Sequence, residues 1–84
     1  MSVNELKKDL KEKNVIFGTE RVIKLLKQGK LKKIFVCSNC EEFSLKRIKH
    51  YCKIGNIELY QLKESNEEIG VICKKPFSIS VVGV

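Results

Sequence analysis

No apolar run in this chain exceeds four or five residues, residues 34–37 being among the longest. A membrane-spanning helix needs ~20 such residues, and the N-terminus lacks the apolar core of a secretory signal, so a soluble intracellular protein is expected. Histidine occurs once, at His50, and no Ser/His/Asp or Cys/His nucleophile set can be built around it. The five glycines never form the Gly-x-Gly-x-x-Gly of a dinucleotide loop or the Gly-Lys-Ser/Thr of a P-loop. Glu67 and Glu68 stand where a helix begins and favour its dipole rather than forming an acid/base pair. No catalysis is expected. Acids are also scarce: ten Asp and Glu against seventeen Lys and Arg leave a net charge of +7 and a pI near 9.4. A surplus of that size favours polyanions, and nucleic acid first among them.

The four cysteines lack a complete framework. Cys37 and Cys40 have the C-x-x-C spacing that lets two thiolates reach one metal. A tetrahedral zinc site needs two more ligands, and no second C-x-x-C or H-x3-H follows. Cys52 and Cys73 stand alone on helices. Nothing suggests secretion, which weighs against disulfides. Free thiols packing as small hydrophobes, a zinc site and a redox pair are the alternatives, the first favoured.

The 84 residues are enough for one compact domain over 1–84 and no more. Ser2 and Glu5 form a capping-box pattern, and Val3, Leu6 and Leu10 recur at helical spacing over 3–13. Residues 15–17 read as a short strand ended by Gly18. A helix follows, with Thr19 as its expected cap and Gly29 just past its end. Val22, Ile23, Leu25 and Leu26 share one side of it; Glu20, Arg21, Lys24, Lys27 and Gln28 share the other. Residues 34–37 read as a strand covered on both faces. A helix over 41–54 stops at Gly55, with Leu45, Ile48 and Cys52 inward, and a strand over 57–62 comes next. Ser65 and Glu68 cap a short helix ending near Cys73, which Pro76 prevents from continuing. Phe77, Ile79 and Val81 alternate with serines as a last strand. The order α-β-α-β-α-β-α-β predicts an α/β fold: a three-layer α-β-α sandwich with a four-stranded, mostly parallel (mixed) sheet.

Gly18 is the centre of interest. A strand that turns there into a helix points backbone N–H groups and a positive dipole end at one place, where an anion is favoured. Arg21 and Lys24 stand beside it, the first with a fork that matches a guanine edge, the second a point charge for phosphate. The lysine-rich turn 30–33 falls at the opposite end of that helix and is expected to add only long-range attraction.

Residues 18–24 resemble the Gly-x-x-x-x-x-Lys helix start of the kink-turn-binding ribosomal protein family. Residues 30–40, Ile69-Gly70 and Lys74-Lys75-Pro76-Phe77 fit the same family in order, the last pointing to its branch in the archaeal and eukaryotic large ribosomal subunit. The resemblance implies the three-layer sandwich and binding to sharply bent ribosomal RNA in the cytoplasmic ribosome. It implies no cofactor, small-molecule substrate or membrane, and allows neighbouring ribosomal proteins as contacts. It assigns Gly18 and Thr19 to the close approach of the bend, and Glu20, Arg21 and Lys24 to sheared G·A pairs and phosphates. Ile69 and Gly70 would line the other wall, and Phe77 would stack on RNA, unless it is simply the first core residue of the last strand. Relatives often carry Asn-Glu where this chain has Glu20-Arg21. Glu20 therefore either accepts from a base amino group or pairs with Lys24 along the helix. The family's C-terminal helix has no counterpart before Val84, so a minimal version is expected. The rivals are a kink-turn role in another ribonucleoprotein, a zinc-dependent module on Cys37 and Cys40, and a protein–protein module of the same fold.

Overall fold

The structure, a computed structural model, describes residues 2–12 and 14–84, the side chains of residues 2 and 12 apart. The elements run α1 (Ser2–Glu12), β1 (Ile16–Phe17), α2 (Thr19–Lys27), β2 (Lys33–Val36), α3 (Glu42–Gly55), β3 (Glu58–Gln61), α4 (Asn66–Ile72) and β4 (Val81–Gly83). This is the expected alternation. The capping box of Ser2 and the helix end expected at residue 13 lie outside the described residues.

The sheet order is β1-β4-β2-β3. β2 and β3 pair in parallel, with Phe35 opposite Tyr60, and α3 makes the crossover that a parallel pair requires. β4 runs antiparallel to both β1 and β2. Three strands therefore point the same way, and the fourth is inserted against them. The sheet is mixed, as expected, but two of its three pairings are antiparallel rather than parallel. The reason lies in residues 73–80. They return the chain to the end of the sheet where β1 finishes, instead of carrying it back to where β1 began.

Strand periodicity divides the core into two layers. Ile34, Val36 and Val81 face Val22, Ile23 and Leu26 of α2 and Ile48 and Cys52 of α3. Phe35, Cys37 and Val82 face Leu6 of α1, Ile69 of α4 and Cys73 just past its end. The unbroken apolar run 34–37 is thus explained by helices on both faces.

Several boundaries differ from expectation for local reasons. Thr19 is the first helical residue, and the cap of α2 is Gly18 itself, at φ 105°. Gly29 follows the helix at φ 68°, as expected. α3 runs through Gly55 and is closed by Asn56 at φ 55°, since asparagine tolerates the left-handed conformation. The capping box of Ser65 and Glu68 forms as expected, with both reciprocal hydrogen bonds in place. β4 begins at Val81 rather than Phe77; residues 77–80 are a connecting segment pressed against α4. A Cβ on Gly70 would collide with the carbonyl of Phe77, so glycine is what lets helix and segment meet.

Candidate nucleic-acid interface

β1 ends, α2 begins and the 77–80 segment arrives at the same place. The Gly18 amide donates to the Val81 carbonyl (3.1 Å), and the Gly18 carbonyl accepts from the Val22 amide (3.0 Å). These bonds pin the turn to β4. No side chain caps α2, so the amides of its first turn meet no capping oxygen and remain directed outward. A Cβ at Gly18 would have nothing within 4 Å. The glycine is demanded by its positive φ, and the space beside it is open.

That space is a groove of about 470 Å³. Gly18, Thr19 and Arg21 form one wall; Lys75, Phe77 and Ser78 form the other. Phe77 is 56% exposed, which removes the alternative that it is a core residue of the last strand. An exposed aromatic ring, a guanidinium and an ammonium converge beside unpaired amides, with no acid among the described residues lining the groove. Such a set suits a nucleotide strand: a stacking surface for a base, with donors for phosphate and base edges.

The other expected residues separate. Lys24 is exposed one turn further along α2, beyond the groove. Ile69 is fully buried in the core, and Gly70 is buried against residues 77–78. Gly70 packs directly behind the backbone of Phe77; Ile69 belongs to the core beneath α4. Glu20 does not pair with Lys24 along the helix: its carboxylate accepts from Arg47 of α3 at 3.3 Å. That link joins α2 to α3. Arg47 also lies 5.6 Å from the ring centroid of exposed Phe43.

Sequence reasoning missed Lys75, Phe17 and Arg47. Lys75 and Phe17 had a signal, since both flank residues already singled out. Arg47 had none, because its partner is 27 residues away in the chain.

The Cys37–Cys40 segment has a structural task. Between the two thiols, Asn39 donates to the Asn66 side chain (3.0 Å) and accepts from the Asn66 amide (2.9 Å). The Ser38 amide donates to Glu64 (2.8 Å). The segment thus clamps the start of α4. Burial, with Cys37 nearby, pushes the Cys40 thiol up, and burial pushes those of Cys52 and Cys73 up. Among the described residues no three His, Cys, Asp or Glu side chains gather as metal ligands, and no helix is long and apolar enough to cross a membrane.

An α/β sandwich with a cationic, aromatic groove at the start of α2 is matched by a known family. The model of the ribosomal protein L7Ae/L30e/S12e/Gadd45 family covers residues 2–84, and the chain belongs to that family. Among its relatives is large ribosomal subunit protein eL30 of Sulfurisphaera tokodaii, 41% identical over 81 residues, which are 96% of this chain and 76% of the relative. The protein of the same name from Saccharolobus solfataricus is 41% identical over 80 residues, 95% of this chain and 74% of the relative. The solved structure of a protein with unknown function from Bacillus halodurans C superposes with a TM-score of 0.82 at 19% identity, over 94% of this chain and 78% of that one; it supports the fold alone.

Proposed function

We propose that this protein is a structural constituent of the large ribosomal subunit that grips a kink-turn in ribosomal RNA through the groove at the start of α2. It works as one RNA-binding domain, without cofactor or catalysis, in the cytoplasmic ribosome. The observation that carries the reading is the pairing of the uncapped Gly18 turn and Arg21 with exposed Phe77 across one groove. The relatives named as ribosomal proteins support the setting. The bend presents two backbones close together and an unstacked nucleotide. Amides and Arg21 meet the phosphates and purine edges, Lys24 extends the contact one turn along α2, and Phe77 takes the displaced base. Gly18 and Thr19 allow close approach, Ile69 and Gly70 hold the second wall, and Glu20 positions α3 against α2.

The test is affinity for a short kink-turn RNA. Arg21→Ala and Phe77→Ala should each weaken it more than tenfold with the fold intact. A base–aromatic stack contributes ~1–3 kcal/mol, enough for such a loss. Binding should fall along a straight log–log line with salt, as phosphate contacts require. Undiminished affinity in both variants would refute the assigned groove. Capture and sequencing of RNA bound in cells should return ribosomal RNA.

A further inference from the structure

A second cleft, of about 590 Å³, lies between the end of α1, β1 and the end of α4. Its rim carries Lys7, Lys11, Lys74 and Lys75, and its floor includes Leu10, Phe17 and Ile72. No acid lines it among the described residues. It is continuous with the proposed RNA groove, because Phe17 and Lys75 belong to both. The Lys75 ammonium sits 5.2 Å from the Phe17 ring centroid, on the ridge between them.

One of these lysines is held at a conformational cost. Lys74 follows the end of α4 at φ 58°. Its amide donates to Val71 and that of Lys75 to Gly70, closing the helix in the left-handed form that glycine normally supplies. This strained residue stands on the rim of the cationic cleft, and non-glycine residues in such conformations cluster at functional sites.

We propose that this cleft is a second RNA site, which takes the single strand continuing from the bend. The proposal rests on the kink-turn reading and extends it. Phosphates of the strand lie along Lys7, Lys11 and Lys74, and an unpaired base enters over Phe17 onto the apolar floor. Lys75 guides the strand across the ridge. The charge of the rim, the apolar floor and the continuity with the first groove favour a nucleotide strand over a peptide.

The test uses the full chain and two kinds of RNA: a minimal kink-turn, and the same RNA with a four-uridine extension placed in turn on each strand end. One extended RNA should bind at least fivefold tighter than the minimal one. Lys11→Ala combined with Lys74→Gly should abolish that gain and leave the minimal RNA bound as before. Lys74→Gly alone should raise Tm while reducing the gain, so weaker binding cannot be assigned to a damaged fold. The salt slope for the extended RNA should become shallower by about 0.7 for each phosphate that a substituted lysine no longer neutralises. Lys53→Ala, on α3, should keep the gain and so exclude a mere effect of net charge. Equal affinity for all extended and minimal RNAs, or a gain untouched by the double substitution, would overturn the proposal. Failure of the minimal RNA itself to bind would instead overturn the kink-turn reading, and this inference with it.

Discussion

Asp9 is 2% exposed, a rare burial for a carboxylate. It lies beside Leu6 and Leu10 on the inward stripe of α1. The Lys33 ammonium lies 3.1 Å from Asp9 and 3.2 Å from Glu5. Lys33 belongs to the basic turn expected to supply long-range attraction, yet it ties α1 to the start of β2. Replacing it with methionine keeps the stem and removes the charge from beside a buried carboxylate. Lys33→Met should cost about 2 kcal/mol, the loss of charged hydrogen bonds, measured by urea denaturation. Adding Asp9→Asn should recover part of that cost. If the two substitutions prove additive, the two side chains are not coupled. An acid on an apolar stripe was the available sequence signal for Asp9. Its partner, 24 residues distant, had no such signal.

Among the helices, α4 is the shortest, at 7 residues, and decides the most. Its capping box and its stop before Pro76 are local chemistry and were legible in the sequence. What it packs against was not. Gly70 meets the backbone of residues 77–78, and that meeting sets where Phe77 emerges. Gly70→Ala should destabilise the protein by ~1–3 kcal/mol, the range for overpacking. It should also weaken kink-turn RNA binding, although Gly70 itself is buried. Calorimetry and an RNA titration on the same preparation check both; a loss of stability with unchanged affinity would mean that Phe77 is placed by something else. The α2 face was equally legible, since its 3.6-residue pattern put Val22, Ile23 and Leu26 inside and Arg21 and Lys24 outside. Its cap falls one residue before the expected Thr19, because the positive φ of Gly18 belongs to the junction with β4 and not to the helix.

At the scale of the whole molecule, the shifted ionisable groups among the described residues lean one way. Lys33 is raised above its ordinary 10.5, chiefly by its hydrogen bond to Asp9. Tyr60 is raised above 10.0, chiefly by its hydrogen bond to Glu58. Cys40, Cys52 and Cys73 are raised above 9.0, chiefly by burial. In each case the folded chain keeps a proton that the unfolded chain releases. The stability they contribute is complete below the unfolded values and is lost as pH rises through the folded ones. Stability should therefore begin to fall near pH 9 and fall more steeply past 10.5. Urea midpoints across that window test this, and a flat profile would contradict it.

The sequence by itself determined the element order, the two-sided burial of β2, the cationic face of α2 and the family. Each follows from periodicity, charge or short-range turn chemistry, which operate within a few residues. Only the tertiary structure decided that β4 enters against its neighbours. That single reversal starts β4 beside Gly18 and brings residues 75–80 to the mouth of α2. The pairing of Glu20 with Arg47 and the burial of Ile69 and Gly70 were likewise decided by packing between elements. Strand direction depends on where a chain returns after a helix, and that is set by packing between residues far apart in sequence, which no local pattern records.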